Sequence, residues 1–133
     1  MSDNGGKTKY WLDLAADDLS VADLLFKGKK RLHMAFFCHL AAEKALKAAI
    51  AHNTEKIPPK IHDLLKLAKF GEIYDCLTEE QLSLLEELTP LNIDARYPAF
   101  KESIELFLTI ERCKKFYDET EAFLCWIKSA LGK

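Results

Sequence analysis

Apolar residues recur along this chain at alternating steps of three and four, the spacing that lines one face of an α-helix. Leu12, Ala15, Leu19, Ala22 and Phe26 form the first seam. They predict a helix from about Tyr10, with Gly28 as its C-terminal cap and Lys27 beside it at the negative end of the helix dipole. A second seam, Leu32, Ala35, His39, Ala42, Leu46 and Ala49, predicts a helix from about Lys30 to Asn53. Ile57-Pro58-Pro59 stops it, and a short third helix carries "IHDLLKLAKF" and ends at Gly71. Thr78 and Gln81 have capping-box spacing ahead of Leu82, Leu85 and Leu88, so a fourth helix starts there and runs toward Ile93. Pro98, within "DARYPAFKES", predicts a break or bend. The last seam is Cys113, Phe116, Thr120, Phe123, Ile127 and Ala130, widened by Tyr117, Leu124 and Leu131. It predicts a helix from near Thr109 to Leu131 whose broad stripe suits a globular bundle.

The chain has no strand-like alternation, internal repeat or low-complexity linker. The expected fold is all-α: an up-and-down antiparallel bundle of four long helices plus one short helix. It spans residues 9–133, behind a polar tail over residues 1–8 that is expected to be disordered.

The bulk properties narrow the function classes. A chain of 133 residues fits one domain that buries its own core. A net charge of −2 argues against non-specific nucleic-acid binding, so RNA is not an expected partner. No apolar run approaches the roughly 18 residues of a membrane span, and the polar N-terminus does not read as a signal sequence. The expected setting is cytoplasmic. Cys38, Cys76, Cys113 and Cys125 lack metal-ligand spacing and fall mostly in apolar helical pattern. Buried reduced thiols, with no metal and no cofactor, are the expectation.

One stretch does not fit a plain packing helix. In "HLAAEKALKA", His39, Glu43 and Lys47 stand at i,i+4 spacing and form a slanted polar row. Ala41, Ala42, Ala45, Ala48 and Ala49 surround them, and such small side chains let another backbone come close. The plainer reading is a solvated stripe at the edge of the packing face. The alternative is a functional or interface cleft. Asp18 favours the cleft, because it lies on the line Trp11, Leu14, Val21 and Leu25. A partly buried acid there needs a cation, for which Lys47 or Arg96 is the expected source.

Familiar chemical motifs are missing. There is no Glu-x-x-His pair for a di-iron bundle, no Cys/His zinc spacing, no phosphate-binding glycine loop and no evident nucleophile–base pair. The cationic runs "KGKKR" (27–31) and "RCKK" (112–115) read as solvated turns, with phosphate-contacting patches as the alternative.

Several stretches together resemble the HEPN domain family. They are Tyr10-Trp11 with "AADDLSVADLL", "FFCHLAAEKALKAAI", "HDLLKLA" and "ARYP", in that order across residues 9–131. The resemblance implies a helical bundle that tends to dimerise and that binds a nucleotide. It also implies pairing with a separate minimal nucleotidyltransferase, sometimes as a toxin–antitoxin system. Many toxin members of the wider superfamily are metal-independent ribonucleases that use an Arg and a downstream His with four to six residues between them. This sequence departs from that pattern. Arg96 is followed at those positions by Lys101, Glu102 and Ser103, and Arg112 by Tyr117, Asp118 and Glu119. All four histidines, at 33, 39, 52 and 62, precede Arg96.

The expected function is therefore a homodimeric binding module with no catalytic residues assigned. Arg96 would hold a phosphate bidentately and Tyr97 would stack or hydrogen-bond, with Lys47, Glu43, His39 and Asp18 completing the candidate site. Two alternatives stand beside it: a ribonuclease with a relocated base, His39 or His62, and a purely oligomeric scaffold. His62 also has a plain structural reading, as a helix-start histidine packed on the bundle.

Overall fold

The computed structural model describes residues 4–92 and 98–132. Six α-helices occur among them: α1 (Asn4–Lys27), α2 (Arg31–Asn53), α3 (Leu64–Phe70), α4 (Glu79–Leu88), α5 (Pro98–Phe107) and α6 (Ile110–Ala130). Single 3-10 turns at Tyr74–Cys76 and Thr89–Leu91 complete the regular structure, and the described residues contain no strand. No described helix is long and apolar enough to cross a membrane. The all-α class expected from periodicity is correct, but the inventory differs: three helices are long and three are shorter, against the four plus one expected.

Two of those differences have local causes. α1 begins at Asn4, so residues 4–8, expected as part of a disordered tail, are helical, and Thr8 is fully buried. Pro98 starts a helix instead of breaking one. Proline lacks an N–H that the first helical turn cannot use anyway, and its φ is already helical. The expected starts of α4 and α6 hold. Thr78 accepts from Gln81 N at 3.1 Å while the Gln81 side chain accepts from Thr78 N at 2.9 Å. Thr109 caps α6 by accepting from Arg112 N at 3.2 Å.

The turn Gly28–Lys30 joins α1 to α2, and so short a link folds the two into an antiparallel hairpin. Lys29, rather than the glycine, takes the left-handed conformation there, at φ 63°. The cationic run is tied into this corner: Lys27 pairs with Asp23 at 2.9 Å and Arg31 donates to the Leu108 carbonyl at 2.8 Å. Arg112 likewise donates to the Phe107 carbonyl at 3.1 Å, and its guanidinium lies 4.1 Å from the Phe107 ring centroid. Both runs thus have structural work.

α2 is the axle of the fold. Fourteen of its 23 residues are buried, and it packs against α1, α3, α4, α5 and α6. Its alanines permit this crowding, as Gly71 illustrates. A Cβ placed on Gly71 would lie 3.2 Å from the Ala49 Cβ. Enlarging either side must therefore push the α3 end away from α2. Ala49→Leu is expected to cost about 1–3 kcal/mol through overpacking, read as a lower urea midpoint with an unchanged m-value.

The cysteines divide. Cys38 and Cys113 are buried, as expected, but Cys76 and Cys125 are exposed. Burial pushes the Cys38 thiol up to about 12, only partly offset by the Thr120 hydroxyl, so this thiol is unreactive at neutral pH.

Candidate functional site

Helical geometry puts His39, Glu43 and Lys47 one turn apart along α2. Because α2 is enclosed on nearly every side, that row is covered, not solvated. His39 is fully buried and Glu43 is 3% exposed. The solvated-stripe expectation fails because this helix has almost no solvent side on which a polar row could lie.

Two other segments close over the row. The end of α4 supplies the Leu88 carbonyl, which lies 2.8 Å from His39 Nδ1. The segment before α3 supplies His62. Asp63 caps α3, accepting from Leu65 N and Lys66 N at 3.1 and 3.2 Å, and so fixes how the chain enters the helix. The residue just ahead of that cap is His62, whose Nδ1 lies 3.0 Å from Glu43 Oε1.

Glu43 is the hub. Its Oε1 faces His62 Nδ1 at 3.0 Å and His39 Nε2 at 3.2 Å, while its Oε2 accepts from Lys47 Nζ at 3.0 Å. Burial alone would push this carboxyl up. The bonds from His39, His62 and Lys47, with the Lys47 charge, outweigh burial and hold it down at about 2. Lys47 also lies 5.5 Å from the Trp11 ring centroid, bridging the cluster to α1. Trp11 in turn lines a hollow of about 150 Å³ with Lys7, Thr54, Glu55, Lys56, Ile57 and Pro58.

The histidines are not equivalent. His39 is buried and engaged at both ring nitrogens, which makes it a strut between α2 and α4. The His62 side chain is 48% exposed. A carboxylate behind one ring nitrogen and solvent before the ring is the arrangement of an oriented, ligand-accessible imidazole.

The candidate residues named from sequence therefore separate. His39, Glu43 and Lys47 come together, with His62 as the fourth member. Asp18 does have a cation, but it is Lys44 at 2.7 Å, not the expected Lys47, and this pair staples α1 to α2. Arg96 and Tyr97 lie outside the described residues. The one signal for His62 is "HDL" itself: an Asp in capping position fixes its neighbour, yet nothing in the 18 residues between Glu43 and His62 marks that they meet.

A family model described as HEPN domain matches residues 8–130. No curated protein and no solved structure matches the chain.

Proposed function

From the premise that the chain belongs to the HEPN domain family, we propose that it is a non-hydrolytic binding module that takes up a nucleotide and partners a minimal nucleotidyltransferase. The observation that carries the nucleotide reading is Trp11. Its indole lines a hollow together with Lys7, Lys56 and one carboxylate, Glu55, and Lys47 sits at its ring. An aromatic face for a base and ammonium groups for phosphates are the two things a nucleotide needs. Arg96 and Tyr97 join this proposal from the sequence, Arg96 as a phosphate fork that keeps its charge at any working pH. The family resemblance adds the partner protein, the toxin–antitoxin context and a homodimer, and the cytoplasmic setting joins them from the sequence.

Calorimetric titration of the chain with ATP and GTP tests the reading. Trp11→Ala and Arg96→Ala are each expected to weaken binding by about 1.5–3 kcal/mol, roughly 10- to 150-fold, with helical content retained. Unchanged affinity in both variants removes the nucleotide proposal. Sedimentation at micromolar concentration is expected to give one species near twice 15.2 kDa. A persistent monomer would remove the homodimer.

The Glu43–His62 pair favours one second reading, a ribonuclease whose base is His62 in place of the family's downstream histidine. General-base catalysis contributes about 10²–10⁴-fold. RNA cleavage by the purified chain, lost to that extent in His62→Ala, would establish it. Absence of cleavage in the wild-type chain keeps the binding module.

A further inference from the structure

We propose that His39, Glu43 and His62 form a zinc-binding site, with His39 Nε2, Glu43 Oε1 and His62 Nδ1 as the protein ligands and water in the fourth position. These three side chains each present a donor atom, all lying within 4.8 Å of one another. Two imidazoles and a carboxylate with one open position form an ordinary donor set for zinc.

The spacing is close to that of a loaded site. Ligands held tetrahedrally by bonds of about 2.0–2.1 Å stand roughly 3.3 Å apart. His39 Nε2 and His62 Nδ1 are already 3.2 and 3.0 Å from Glu43 Oε1. Only the separation between the two imidazoles remains to adjust, and the half-exposed His62 is free to make that movement.

Hydrogen-bond valence points the same way. The Leu88 carbonyl can only accept, so His39 Nδ1 carries a proton and donates it. Nε2 is then the ring nitrogen that faces Glu43 Oε1 at 3.2 Å, either as an N–H bonded to it or as the donor atom that a metal ion takes up. The backbone contact that fixes the tautomer is also the outer-shell contact typical of a metal-bound histidine. Lys47 occupies the other carboxylate oxygen, Oε2, orienting Glu43 without blocking Oε1. His39 and Glu43 are sealed inside, whereas the exposed face of His62 gives an ion its way in.

This site shares Lys47 with the nucleotide reading, but the two are read in separate titrations, so either can fail alone. The full chain is stripped with EDTA, dialysed and titrated with zinc chloride by calorimetry. One zinc per chain is expected, and His62→Ala should weaken binding by at least about 100-fold, more than the loss of an outer-shell contact. Because His62 is half-exposed, that variant should keep its fold, which circular dichroism checks. Cobalt chloride should give the visible bands of a tetrahedral site in the wild type and not in His62→Ala. A variant carrying His33→Ala, His52→Ala, Cys76→Ser and Cys125→Ser, which removes the other histidines and the exposed thiols, should bind zinc as the wild type does. No saturable binding by the wild type, equal affinity in His62→Ala, or loss of binding in the fourfold variant overturns the proposal.

Discussion

Glu43→Ala should lower the unfolding free energy by about 3–5 kcal/mol, the cost of breaking a buried charge network by removing one partner. Few polar substitutions in a domain of this size reach that scale, which is a large share of the roughly 5–15 kcal/mol that holds such a domain together. The reason lies in what remains. Without the carboxylate, Lys47 and two imidazoles face each other with no acceptor between them, and two of those groups have little access to water. Equilibrium denaturation at neutral pH, with EDTA present, measures the loss.

The same residue sets an acid limit. The Glu43 carboxyl sits at about 2 in the folded protein against an ordinary 4.5. A depressed carboxyl stabilises the fold above its unfolded value, and that stabilisation fades as pH falls from about 4.5 toward 2. The groups facing it, His39, His62 and Lys47, all favour its charged form. Wild type should therefore lose about 3 kcal/mol more than Glu43→Gln across that window. A difference that stays flat from pH 5 to pH 2 would falsify the role assigned to the carboxylate.

Phe123→Ala should cost a comparable 3–5 kcal/mol by a different route, about the usual loss for a buried phenyl group. Phe123 is 1% exposed on α6 and stacks on Trp126, with ring centroids 6.1 Å apart. It also lines the seam with Leu84 of α4. Truncation leaves a void between two helices that the α4 capping box and the Thr109 cap hold in place, so collapse is limited. Thermal unfolding gives the global loss, and the fluorescence of Trp126 reports the local one. A cost below about 1 kcal/mol would mean that α4 closes onto α6 and fills the space.

The long seams were legible because burial on α1 and α6 is one-sided. Leu12, Ala15, Leu19 and Ala22 face inward as their spacing says, as do Cys113, Phe116, Phe123 and Ile127. The six seam residues of α2 are also buried, but periodicity stops being informative there. Met34, Cys38, Ala41 and Ala45 lie off the seam and are buried too, since partners cover the helix nearly all round. On such a helix a charged row carries no message about solvent, which is why His39 and Glu43 were open to two readings. Asp18 has the cation that its place on an apolar line calls for. Its choice of Lys44 over Lys47 depends on the rotation between α1 and α2, which neither helix's own pattern contains. His62 joined the cluster through tertiary approach alone. Pro98 departs from expectation because one residue type stops a helix in the interior and starts one at its first turn.

The short turn between α1 and α2 has a consequence for the order in which the protein is made. The most extensive interface of the fold joins two successive elements, so its contacts are local and form early. The hairpin is complete once Asn53 has cleared the ribosome, but α2 still lacks its other neighbours. Ala130, the end of α6, follows 77 residues after Asn53. At about 5–20 residues per second, the nascent chain carries a half-covered, alanine-lined helix for about 4–15 s. During that interval the small side chains that later admit close-packed backbones present a smooth apolar face to every other nascent chain nearby. Translation speed across residues 54–130 therefore sets how long that face stays uncovered.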